Sequence, residues 1–151
     1  MGRALIELLT YENPVLRNFC FWSAIMLMKM ILMSIMTGFQ RYRTKTFANP
    51  EDAGKDNECS VNDKVERVRR AHLNDMENIL PLVLISFIYV LSDPIPAVAV
   101  NIFRVVTAAR IWHTFVYAII VIPQPARAIG FFIPYIAMFY MAIQSAIVFV
   151  N

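Results

Sequence analysis

Apolar stretches long enough to be membrane helices alternate along this chain with short polar segments, and one transition stands apart. From Val65 to Pro81, VERVRRAHLNDMENILP, many polar groups lead straight into apolar sequence. Read as a helix, Arg67, Arg70, Asn74 and Glu77 recur at spacings of three, four and three, so they share one face. That face cannot point at lipid. The apolar run behind it, Ile79 to Leu91, has thirteen residues, whereas crossing a hydrocarbon core of about 30 Å takes about 20. The last polar turns must therefore be drawn into the membrane, with Asn74 and Glu77 turned toward other helices or a water-filled cavity. Ionisable groups at that depth are costly and mark functional sites. Pro81 has no N–H to give the carbonyl four residues earlier, which leaves the Glu77 carbonyl as an acceptor beside an acid.

The same alternation predicts an all-α, four-helix transmembrane bundle in a single domain over 1–151, with helices at about 13–40, 65–91, 97–122 and 125–150. The first span is rich in methionine, but Met26, Met28, Met30, Met33 and Met36 do not fall on one helical face, so lipid contact and packing account for them. Lys29 is harder to place. It lies twelve residues, about 18 Å of helix, from the basic end at Arg41, too deep to reach the surface easily. Pairing with an acid such as Glu77 or Asp75 is the expectation. The polar loop 41–64 contains the helix-breaking steps Asn49-Pro50 and Ala53-Gly54. Its basic excess assigns it to the cytosol, because the turn 92–96 carries no Lys or Arg; with four spans both termini are then lumenal. In the third helix Arg110, His113 and Tyr117 share a face, and Arg104 lies off it. The fourth begins after Pro123-Gln124-Pro125, which puts Arg127 in its first turn, where guanidinium and helix dipole together favour an anion. Pro134 should bend this helix.

Composition agrees: 151 residues at 58% hydrophobic are too apolar for an ordinary soluble domain. Eight of the fourteen Lys and Arg lie between Arg41 and Arg70, while the aromatics fall mostly in the apolar spans, which excludes a nucleic-acid surface. Cys20 sits in the first span and Cys59 in the loop, so a structural disulfide framework is not expected. No cleavable signal peptide is predicted, since Glu7 and Glu12 interrupt the amino-terminal region, and Met1-Gly2 lacks the Ser or Thr of a myristoylation motif because Ile6 stands there. Two histidines far from Cys59 give no metal site, and neither a Ser-His-Asp arrangement nor a phosphate-cradling glycine loop occurs.

Polar faces on three helices must converge, because each would be intolerable against hydrocarbon. Together they offer Arg67, Arg70, Asn74, Glu77, Arg110, His113, Tyr117 and Arg127. So many cations with a few acceptors suit a small multiply charged anion bearing an ammonium group. The lipid-facing sides admit an apolar co-reactant, so the chemistry pointed to joins a polar cytosolic compound to a hydrophobic one in the membrane.

The segments FANPED (47–52), VERVRRAHLNDMENILP (65–81), ARIWHTFVY (109–117) and PQPARA (123–128) resemble the membrane-associated proteins of eicosanoid and glutathione metabolism, the MAPEG family. The likeness covers nearly the whole chain after the first dozen residues and is greatest to the family's glutathione transferase branch, then to its prostaglandin E synthase branch. It implies a homotrimer in the endoplasmic reticulum, with the outer mitochondrial membrane as a second site, and glutathione, as substrate or cofactor, bound between protomers. It also implies that glutathione is held by Arg41, Arg70, Asn74, Glu77, His113, Tyr117 and Arg127. Arginines would meet its carboxylates and Glu77 its ammonium. Arg127 would be the catalytic residue, lowering the pKa of the thiol to raise its thiolate fraction.

The activity implied is conjugation of the thiolate to lipophilic electrophiles, with glutathione-dependent reduction of lipid hydroperoxides beside it. The alternatives are prostaglandin E synthesis with glutathione as cofactor and a non-catalytic lipid-binding or scaffold role. Leu73 replaces an arginine of the synthase branch and Ala128 a serine, both favouring the transferase; Phe131 stands where a tyrosine is usual. Ala53 occupies the position of a regulatory loop cysteine, from which Cys59 is displaced. A small structural subunit with a buried ion-pair network would leave the motif spacing unexplained.

Overall fold

The structure is a computed structural model describing residues 4–53 and 60–150. Cys59 and the Met1-Gly2 amino terminus lie outside the described residues. Within them the chain is helical and contains no strand: α1 (Leu5–Leu8), α2 (Pro14–Thr44), α3 (Pro50–Ala53), α4 (Asp63–Leu91), α5 (Pro96–Thr114), a π-helical turn (Phe115–Ile119) and α6 (Ala126–Val150).

Local chemistry sets the ends of these helices. Asn13 caps α2, its Oδ1 accepting from the Val15 N–H at 3.0 Å, while its Nδ2 donates to the Leu8 carbonyl at 2.8 Å and ties α1 to the start of α2. Pro14 and Pro96 open α2 and α5, where a missing N–H costs nothing. Asn62 caps α4 through the Lys64 N–H at 2.9 Å, with Asp63 and Glu66 in the first turn complementing the dipole. The helix expected to stop near residue 40 runs on to Thr44, and Arg41 and Arg43 in its last turn suit the negative dipole end. Both Pro81 and Pro134 lie inside helices that continue past them.

Helix α2 packs on α4 and α5, and α6 on α4 and α5. Val15, Met26, Ile79, Leu82, Phe103, Val106 and Met141 meet at the centre, with Phe19 wedged between Phe87 and Phe103. The outer surface is apolar as well. Met28, Ile31, Leu32, Ile35 and Phe39 of α2 and Phe132, Ile136, Phe139 and Ile143 of α6 all point outward. An apolar exterior that keeps charged groups such as Asp75 and Arg110 buried inside is the distribution expected where hydrocarbon is the solvent.

Three helices, α2, α4 and α6, are long and apolar enough to cross a membrane. The third expected span falls short of that standard. Its α-helix has 19 residues instead of the expected 26, and Arg104, Arg110 and His113 dilute its apolar character. It ends early because the backbone widens into the π-turn, where the Ile120 N–H reaches back to the Phe115 carbonyl at 2.9 Å.

Asp75, fully buried on α4, is the electrostatic centre. Its Oδ2 meets Lys29 Nζ of α2 at 2.6 Å and its Oδ1 meets Arg110 Nη2 of α5 at 2.5 Å. The Thr114 hydroxyl donates to Oδ2 at 3.3 Å. Of the two acids open to Lys29, Asp75 is the one that takes it, and Glu77 faces elsewhere. Removing one partner of a buried charge cluster strands the rest, a loss of about 3–5 kcal/mol. Asp75→Ala, which leaves Lys29 and Arg110 facing each other, is therefore expected to lower the unfolding midpoint in detergent sharply; a midpoint equal to wild type would show that these cations find water.

Candidate functional site

Helices α4, α5 and α6 present their polar groups to a cleft of about 310 Å³ lined by Asn74, His113, Tyr117, Gln124, Arg127, Ala128, Phe131 and Phe132. Each side chain is there for a local reason. Asn74 stands beside Asp75 on α4, at the edge of the helix's buried face. His113 is buried near the end of α5, and the π-turn that follows carries Tyr117 round so that the two rings meet edge to face at 5.6 Å. Gln124 caps α6, its Oε1 accepting from the Ala128 N–H at 3.1 Å. Arg127, second residue of that helix, lays its guanidinium over the Tyr117 ring at 4.7 Å, a cation–π contact that fixes the charge at the cleft.

The cleft is cationic. No acid lines it, and Asp75 behind it is already held by two cations. Phe131, stacked on Tyr135 at 4.7 Å, and the exposed Phe132 make the other wall apolar. A small anion can sit at the polar wall with an apolar molecule beside it. Among the described residues no cluster of His, Cys, Asp and Glu is fit to hold a metal ion.

The expected convergence of all the polar groups is incomplete within one chain. Asn74, His113, Tyr117 and Arg127 come together. Arg110 does not face the cleft; it is wholly buried against Asp75. Glu77 lines a separate, largely apolar hollow of about 270 Å³ with Pro81, Ile85, Tyr135, Met138, Phe139 and Ala142. Arg41 lies in a third, of about 210 Å³, with Phe47, Asn62 and Glu66 at the root of the loop. Arg70 is exposed and Arg67 half-buried, and neither lines any of the three. The geometry of α4 explains the split. Its buried face is drawn through Ala71, Asp75, Asn78 and Leu82, so the stripe of Arg67, Arg70, Asn74 and Glu77 lies at the margin, with Asn74 turned in and Arg70 and Glu77 turned out.

Sequence reasoning did not single out Gly130. A Cβ there would lie 2.9 Å from the His113 Cβ, 3.0 Å from its Cα and 3.1 Å from the Ala109 carbonyl oxygen, so only glycine lets α6 approach α5 this closely. The Trp112 indole N–H, donating to the Ala126 carbonyl at 3.0 Å, fastens the same two helices one turn away. Gln124 and Phe132 were not anticipated either. The signal available for Gly130 was its place three residues after Arg127 as the one glycine of α6.

The sequence model of the MAPEG family matches residues 19–147. The chain is 44% identical over 144 residues to microsomal glutathione S-transferase 1 of Homo sapiens, covering 89% of this chain and 92% of that one. Identity to the Rattus norvegicus transferase of the same name is 43% over the same span, with equal coverage. Prostaglandin E synthase of Homo sapiens is 37% identical over 139 residues, covering 90% of this chain and 91% of that one. The transferase thus stands nearer than the synthase.

Gly130→Ala forces α5 and α6 apart at His113, an overpacking cost of about 1–3 kcal/mol. Thermal unfolding in detergent is expected to register that loss, and an unchanged midpoint would contradict the close approach described here.

Proposed function

From the premise that the chain belongs to the MAPEG family, we propose that it is a membrane-bound glutathione transferase. The observation that carries the reading is the gathering of Asn74, His113, Tyr117 and Arg127 into one cationic cleft with an apolar wall. Glutathione brings two carboxylates, an ammonium and a thiol. The thiolate attacks the electrophilic carbon of a lipophilic substrate; a carbon–sulfur bond forms, the bond to the leaving group breaks, and the thiol proton passes to water. A free thiol has a pKa of about 8.5, and a neighbouring arginine at a helix start lowers it. Arg127 is the residue so placed, and its charge is held by Tyr117. Proximity of the bound nucleophile to an electrophile partitioned into the membrane supplies the rest. The same thiolate would reduce lipid hydroperoxides: its sulfur takes the terminal oxygen as the O–O bond breaks and the lipid alcohol leaves, and a second glutathione then closes the disulfide with loss of water.

Arg41, Arg70 and Glu77 enter this site through assembly. Arg70 and Glu77 stand on the outward margin of α4, where hydrocarbon would be intolerable, so a second copy must cover them. A homotrimer with glutathione between protomers supplies that cover, Glu77 meeting the ammonium and Arg41 and Arg70 the carboxylates. In that assembly α5 is the fourth span, its Arg110 and His113 already buried. By its likeness to the family the chain would lie in the endoplasmic reticulum membrane, with the outer mitochondrial membrane as a second site, and its basic loop would put 41–64 in the cytosol and both termini in the lumen.

Prostaglandin E synthesis is the second reading, favoured by the identity to that enzyme and opposed by Leu73 and Ala128. A non-catalytic lipid-binding or scaffold role leaves the placement of Arg127 without a use. One detergent-purified sample offered an aryl halide, a lipid hydroperoxide and prostaglandin H with glutathione separates the three. Aryl halide turnover is expected, and turnover of prostaglandin H alone, or of nothing, would overturn the proposal. Arg127→Ala should lose the ultraviolet band of bound thiolate and about a hundredfold in kcat; wild-type turnover in that variant would refute the role given to Arg127. Glu77→Ala should raise KM for glutathione about tenfold with kcat little changed.

A further inference from the structure

Two cations share one carboxylate in this chain, Arg110 wholly buried and Lys29 half-buried, and either alone would neutralise it. Asp75 with Lys29, 2.6 Å apart, already forms a neutral pair tying α2 to α4, and the Thr114 hydroxyl adds a donor. Arg110 makes the cluster positive by one unit inside a membrane helix bundle, an expense that calls for a reason. Its Nη2 provides one, because besides Asp75 Oδ1 it reaches Asn74 Oδ1 at 3.0 Å and the Asn74 carbonyl at 3.4 Å. A guanidinium has five donors and no acceptor, so whatever side-chain atom of Asn74 faces it must be the oxygen. The amide nitrogen is thereby turned away, and it donates to none of the described residues while Asn74 lines the cleft with His113 and Arg127.

We propose that Arg110 is a positioning residue: held by Asp75, it locks the Asn74 amide so that its N–H donors face the cleft and take an acceptor oxygen, a carboxylate or peptide carbonyl, of the bound tripeptide. The inference rests on the reading of the cleft as the glutathione site and adds what that reading leaves open, namely which way Asn74 points and what holds it there. Arg110 need not touch the ligand. The Asn78 amide, donating to the Asn74 carbonyl at 2.6 Å, steadies the same turn of α4 from below.

The test is a double-mutant cycle read by glutathione titration, with unfolding midpoints measured in parallel on detergent-solubilised wild type, Arg110→Met, Asn74→Ala and the double variant. Each single change is expected to weaken binding about tenfold, the worth of one charge-assisted or well-formed hydrogen bond. The double variant should bind no more weakly than either single one, because Arg110 acts through Asn74. Asn74→Asp is the sharper control. It keeps an oxygen for Arg110 and neutralises the cluster, so its midpoint should hold, yet it has no donor for the ligand and should bind more weakly than Asn74→Ala. Losses that multiply in the double variant, or wild-type affinity in Asn74→Asp, would overturn the proposal. If Arg110→Met does not fold, Arg110→Lys replaces it in the cycle, since its ammonium still meets Asp75 but one point charge cannot also bridge to Asn74. A wild-type sample that takes up no glutathione would instead refute the assignment of the cleft, a result distinct from either of these.

Discussion

The carboxylate of Asp75 is the constraint on which the bundle depends. A charge buried among apolar helices must be answered at once by opposite charge and hydrogen bonds, or the helices cannot close around it. Here the answer comes from α2 through Lys29 and from α5 through Arg110 and Thr114, so three helices are fixed in azimuth by one side chain. Dispersion between apolar faces would hold these helices together without choosing their rotation, since lipid tails are as apolar as Leu. The ion cluster chooses it.

That choice places the candidate site. With α4 rotated to bury Asp75, its neighbour Asn74 comes to the rim of the cleft; with α5 rotated to bring in Arg110, His113 one turn on lines it too. Helix α6 is then set by close contact with α5 and by the Trp112 indole N–H on the Ala126 carbonyl. Gly130 lets it lie against His113, and Arg127, three residues earlier, ends above Tyr117. The π-turn is the remaining adjustment, widening the backbone after Thr114 so that Tyr117 reaches both His113 and Arg127. A polar wall backed by the Asp75 ion cluster and faced by aromatics can accept a water-soluble anion on one side and a membrane-soluble partner on the other.

Much of this was legible because membrane solvation leaves few options. The spacing of His113 and Tyr117 put them on one face, the thirteen apolar residues after Asn78 forced the preceding polar turns inward, and Lys29 had to find an acid. Helical spacing says which residues share a face but not where that face is turned. Arg70 and Glu77 share a stripe with Asn74, yet a rotation set by Asp75 leaves them at the outer margin of the chain. Arg110 reads as one more cleft cation until its distance to Asp75 is known. Gly130 acts by lacking atoms, which no pattern of polarity records. The shortness of α5 depends on a backbone widening that apolar periodicity does not foresee.

The most direct test of the central claim, that helices registered by Asp75 hold glutathione with its sulfur facing Arg127, is a single-particle cryo-EM map of the protein in a lipid nanodisc with glutathione bound. The account predicts density for the tripeptide in the cleft of Asn74, His113, Tyr117 and Arg127, sulfur against the guanidinium, with a neighbouring copy closing over Arg70 and Glu77. Tripeptide density outside that cleft, or a sulfur directed away from Arg127, would contradict it.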